Sequence, residues 1–169
     1  MSSYERSTRE CKVSQIPHEP LQAIRDFFQK HDLGDPERET LACCETITEK
    51  KKTSKLLTWL EGEQDMLIHT WMLLTSKWLV WVRRGDRTGM VSNAANLTQV
   101  RAKEYKSIFS RDSGLELFGY IGESKGRVRG YIGMGTEPVA QEFREQVMKA
   151  IVDMKPASSK RGWFRWFSR

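Results

Sequence analysis

The chain has 169 residues, 38% of them hydrophobic and 30% charged, which is enough for one domain with its own core and short extensions. Its three cysteines, an odd number with no signal-peptide pattern ahead of them, exclude a disulfide framework and point to a reducing cytosol. The net charge of +6 is not spread evenly: residues 1–38 carry six Lys/Arg against seven Asp/Glu, residues 39–154 seventeen against fifteen, and residues 155–169 five against none, so an anionic partner is expected mainly at the C-terminal end.

Residues 1–15 are polar and lack a period, and read as a mobile arm. Pro20 then opens a helical stretch to about His31, with Leu21, Ile24 and Phe28 on one stripe and Gly34 as a stop. Such a stripe is expected to pack on its own domain rather than to recruit a partner. After a break at Asp35-Pro36, residues 39–49 are rich in Thr and Ile and read as a strand, which sends Cys43 and Cys44 to opposite faces. No ligand spacing accompanies these two thiols, so buried apolar packing is expected of them and a metal is not.

Lys50, Lys51, Lys52 and Lys55 form a basic loop ahead of the apolar segment Leu56–Leu60. A solvated loop is the plain reading of it, and contact with an anionic surface the functional one. Residues 66–84 then hold two apolar runs separated by Thr75-Ser76-Lys77, the pattern of a hairpin. Trp78, Val80 and Val82 should face one side and Leu79, Trp81 and Arg83 the other. A transmembrane helix is excluded, because the run is short of about 20 apolar residues and is interrupted at His69, Thr70 and Lys77.

Four more strands are expected at about 90–95, 98–106, 115–121 and 127–134, which makes seven counted from Glu39. The period then changes. Thr136 is placed to cap a helix that Pro138 opens, and Val139, Phe143, Val147, Ala150, Ile151 and Met154 form its stripe.

Seven antiparallel strands closed by one amphipathic helix resemble a bacterial pleckstrin-homology-like domain of the PH/GRAM type, over residues 39–154. The segment Leu73-Leu74-Thr75-Ser76-Lys77-Trp78-Leu79-Val80-Trp81 is similar to the hairpin of that class, as are Gly114–Gly119 and Gly133–Phe143. The resemblance implies a mainly β (α+β) fold: a bent sheet or partly open barrel plugged by the C-terminal helix, with a short N-terminal helix added. It also implies lipid, peptide or protein binding. Members that bind phosphoinositides use basic residues after the first strand, where Lys50, Lys51, Lys52 and Lys55 stand. The strand from Met66 to Thr75, however, offers none of the cations that specific headgroup recognition would need.

Catalysis finds no assembled site in the sequence. His18, His31 and His69 lack a nucleophile or carboxylate at a diagnostic spacing. Gly130-x-x-Gly133-x-Gly135 lacks the Lys-Ser/Thr of a phosphate loop, and glycines in a last strand allow close backbone approach. No cofactor is expected.

The tail is distinctive: Lys160, Arg161, Arg165 and Arg169 interleave with Trp163, Phe164, Trp166 and Phe167. Aromatic and basic residues together suit an anionic lipid interface, and equally a docking peptide or a flap over the domain's own surface. Nucleic acid is disfavoured, since the sequence displays no second basic face and no RNA-binding motif. The expectation is a cytoplasmic binding module, peripheral at the inner face of the membrane, with a protein adaptor as the alternative.

Overall fold

The structure is a computed structural model that describes residues 4–50, 66–106 and 113–154. Among these residues, eight strands and three α-helices follow in the order β1 (Tyr4–Glu10), α1 (His18–Lys30), α2 (Pro36–Glu39), β2 (Ala42–Lys50), β3 (Leu67–Leu74), β4 (Trp78–Gly85), β5 (Gly89–Asn96), β6 (Val100–Lys106), β7 (Ser113–Gly119), β8 (Val128–Met134) and α3 (Pro138–Asp153). The fold is mainly β with helices added. Strands β1 to β5 form one antiparallel sheet in chain order, and β6 to β8 form a second. The expected bent sheet is thus two sheets, and no closed barrel joins them among the described residues. Between β5 and β6 the chain changes sheets over Leu97–Gln99, where the Asn96 side chain accepts from the amide and hydroxyl of Thr98 in a local turn.

The hairpin of β3 and β4 is central. Thr75 closes it, with its hydroxyl oxygen accepting from the Trp78 amide at 3.0 Å. Alternation then divides the side chains between two cores. Val80 and Val82 point to one core, while Leu79 points to the other, with Trp81 packed beside it. In β2, Cys43 goes with the first pair and Cys44 with the second, as adjacent residues of a strand must. The first core lies between the five-stranded sheet and α1, whose Leu21, Ile24 and Phe28 are buried there. The eleven buried apolar side chains of this core stabilise far more than the helix's own propensity could. The amphipathic stripe therefore serves its own domain.

The second core is shared by both sheets and α3. Leu115, Leu117, Ile132 and Met134 meet Phe143, Val147 and Ile151 of the helix. Glu137, not Thr136, occupies the N-cap, and Ala140 rather than Val139 begins the buried stripe. Pro138 at the first turn suits this start, since its missing N–H would have had no helical partner.

Two N-terminal expectations change. Residues 4–10, read as an arm, are an edge strand paired with β2 from Tyr4–Lys50 to Glu10–Cys44. The strand buries only Thr8, so the backbone ladder holds it rather than an apolar face. The Asp35-Pro36 break is a single helical turn, with the Asp35 carboxylate accepting from the Glu37 amide at 2.9 Å.

A polar junction ties β1, β2, β8 and α3 together. The Thr8 hydroxyl shares a 2.8 Å hydrogen bond with the Thr46 hydroxyl and accepts from the Gly135 amide at 2.8 Å. The Gly135 carbonyl accepts from Ser113 Oγ and from Arg144 Nη1. Every group at this chain crossing is therefore engaged at least once, as burial demands.

Candidate binding surfaces

Of the cations expected to meet an anionic surface, Lys50 alone falls among the described residues. It ends β2, its amide donates to the Met66 carbonyl at 2.9 Å, and the residue is only 8% exposed. Lys51, Lys52 and Lys55, and the tail residues Lys160, Arg161, Trp163, Phe164, Arg165, Trp166, Phe167 and Arg169, lie outside the described residues.

Two of the three histidines, His31 and His69, have structural partners. His31 sits between Phe27 and Trp78, with ring centroids 4.3 and 5.3 Å away, and so fastens the end of α1 to β4. His69 stacks on Trp71 and reaches Glu45 through Nδ1 at 2.8 Å. Glu45 also accepts from Arg9 Nε at 2.8 Å, so one carboxylate bridges β1 and β3 from the strand between them. Burial pushes the Glu45 carboxyl up, but the hydrogen bonds from His69 and Arg9 and the charge of Arg9 outweigh it and hold the group below the usual range. Glu45 is thus an anchored anion, not a proton carrier poised near neutrality.

The thiols of Cys43 and Cys44 are equally inert. Cys11 and Cys43 face each other across β1 and β2 with their sulfurs 2.7 Å apart, and both are free. The hydrogen bond to Cys11, then burial, pushes the Cys43 thiol far up, and burial does the same to Cys44. A nucleophile needs the opposite shift. Since Cys43 and Cys44 point into different cores, they cannot hold one metal ion together.

The glycines before α3 are explained by close approach. A Cβ at Gly133 would collide with the Arg6 guanidinium, which lies across that strand, and one at Gly135 with the Glu137 carboxylate. No helix among the described residues is long and apolar enough to cross a membrane.

The surface that the sequence reading missed is the outer face of the second sheet. Its inner face is apolar, and alternation puts polar and aromatic residues outside. Strand register assembles them into rows: Arg101, Phe118 and Arg129 lie side by side, and Lys103, Glu116 and Tyr131 form the next row. Tyr105 follows, its ring 5.6 Å from Tyr131 in an edge contact. Glu116 is buried, 3.0 Å from Lys103 and 3.1 Å from Arg129, so it pairs with a cation on each neighbouring strand. Phe118 and Tyr131 are 42% and 56% exposed. Reading out every second residue of each strand would have shown basic and aromatic residues together. Their assembly into one patch needed the pairing register.

Comparison with known proteins adds no relative: no family model, no curated protein and no solved structure matches the chain.

Proposed function

We propose that this chain is a non-enzymatic binding module of the pleckstrin-homology-like kind that attaches peripherally to anionic membrane, at the cytoplasmic leaflet, through its C-terminal tail. The observation that carries this reading is the run directly after α3. Residues 155–169 contain five Lys/Arg, four Trp/Phe and no acidic residue. Basic residues near an anionic leaflet contribute about 1 kcal/mol each, and Trp settles at the headgroup level. The order of four strands β2–β5, three strands β6–β8 and a final core helix supports the fold kinship. The structural engagement of His31, His69, Cys43 and Cys44 supports a binding role over a catalytic one.

A protein adaptor is the second reading, favoured by the edge strand β5, where Met90 and Val91 are exposed. An extended partner segment could add to such an edge. Co-sedimentation with vesicles separates the two. The full chain should pellet with phosphatidylserine-containing vesicles and not with phosphatidylcholine alone, lose binding steeply as salt rises, and lose it on replacing Trp163, Phe164, Trp166 and Phe167 by Ala. Equal partition into neutral vesicles, or unchanged binding by the tail variant, would refute the membrane reading.

A further inference from the structure

We infer that Cys11 and Cys43 form a paired oxidation site, a dithiol that a peroxide closes into a disulfide between the end of β1 and β2. The site lies on the five-stranded sheet and is independent of the membrane reading of the tail. Three observations carry it. The first is register. The pairing of β1 with β2 continues one residue past Glu10–Cys44, and the Cys11 amide donates to the Cys43 carbonyl at 3.2 Å, so the two residues are directly opposed. Opposed residues joined in this way have Cα atoms about 5.5 Å apart, inside the range of about 4.4–6.8 Å that a disulfide spans.

The second is direction. Both side chains pack in the core beneath α1, and their sulfurs lie 2.7 Å apart, so bonding needs only a small rotation of the side chains. Cys44 faces the other core, which leaves Cys11–Cys43 as the pairing that the fold allows among the three thiols. The third is access. Cys11 is half-buried and Cys43 is buried, so a small dissolved oxidant reaches Cys11 first.

This asymmetry sets the order of steps. The Cys11 sulfur takes one oxygen of hydrogen peroxide, the O–O bond breaks, and Cys11 becomes a sulfenic acid as water leaves. Cys43 is a poor nucleophile toward solvent, because the hydrogen bond to Cys11 and then burial push its thiol far up. Its target, however, is the sulfur already beside it, and a neighbour held in place needs no encounter. The Cys43 sulfur bonds to Cys11, the S–OH bond breaks, and the Cys43 proton leaves with the hydroxide as a second water. Two thiols and one peroxide thus give one disulfide and two waters, and the peroxide oxygens gain the two electrons that the sulfurs lose. The bond closes a loop that carries α1 and α2, and it clamps the C-terminal end of a strand otherwise held by its backbone ladder.

The test uses the full chain, reduced with dithiothreitol, freed of it and exposed to a small excess of hydrogen peroxide. Remaining thiols are alkylated after denaturation, and tryptic peptides are read by mass spectrometry. The peptide Glu10–Lys12 should be joined to Glu39–Lys50, and dithiothreitol should separate them. Because the second peptide holds both Cys43 and Cys44, Cys44→Ala should keep the link, while Cys11→Ser and Cys43→Ala should lose it. Circular dichroism will confirm that these variants fold, and the half-buried position of Cys11 makes Cys11→Ser the decisive control. The oxidised chain should melt about 5–10 °C above the reduced one, a gain that Cys11→Ser should lack.

Any of four results overturns the site: no link in the folded chain, a link from Cys11 to Cys44, a disulfide between two copies instead of within one, or an oxidised chain that melts no higher than the reduced one.

Discussion

Arg144 offers the most direct test of how α3 is held. It projects from the helix into the polar junction and is only 3% exposed. Its Nε donates to Glu104 Oε1 on β6 at 3.1 Å and its Nη1 to the Gly135 carbonyl at 3.0 Å. The substitution Arg144→Met keeps an apolar stem of similar length and removes both hydrogen bonds. Charge-assisted bonds are worth about 1.5–3 kcal/mol each, and breaking a buried pair from one side costs about 3–5 kcal/mol. Two features reduce the loss here. Glu104 is a third exposed and retains Lys106 at 3.3 Å, and the Gly135 carbonyl retains the Ser113 hydroxyl at 3.1 Å. The expected destabilisation is therefore about 2–3 kcal/mol. With a urea dependence of about 2 kcal/mol per molar, the unfolding midpoint should fall by about 1–1.5 M. A double-mutant cycle with Glu104→Gln should give a coupling of about 1 kcal/mol. A midpoint shift under about 0.3 M, with no coupling to Glu104, would show that α3 is held by its apolar stripe alone.

Two further expectations concern the sheets. Because the folded Glu45 carboxyl titrates below its unfolded counterpart, its contribution is fully present above about pH 5 and is lost as pH falls through the folded value. Glu45→Gln should flatten the acid limb of stability against pH, and an unchanged limb in urea melts would remove Glu45 as its source. At Gly114 an added Cβ would collide with the Ile132 carbonyl oxygen, a backbone atom of the paired strand. Gly114→Ala should therefore cost more than about 2 kcal/mol by thermal or urea unfolding, and a near-neutral result would mean that β7 and β8 can separate there without penalty.

The parts of the fold that were legible in the sequence are those whose burial follows a period. Strands such as β4 and β8 and the helices α1 and α3 carry apolar residues that the chain repeats at a spacing of two or between three and four. Strand β1 was hidden because its side chains bury almost nothing and its hydrogen bonds leave no mark on side-chain pattern. The division into two sheets was hidden for a related reason: alternation tells which residues share a face, but not which strand lies beside which. Arg144 interrupts the α3 stripe and looks solvent-facing until Glu104 and Gly135, distant in sequence, are placed opposite it. The basic-aromatic face was obscured in the same way, since Arg101, Phe118 and Arg129 become neighbours only through strand pairing.

Strand β2 is the partition between the two cores, and consecutive side chains along it belong to different interiors. A shift of one residue would send Cys43 and the Glu45 carboxylate into the space between the sheets, and would turn Cys44 and Thr46 toward α1. Neither interior could then form, since one would gain an uncompensated charge and the other would lose its complementary shape. The shared wall makes the two halves of the molecule a single cooperative unit, in which the docking of α1 and the closure by α3 both depend on one choice of strand frame.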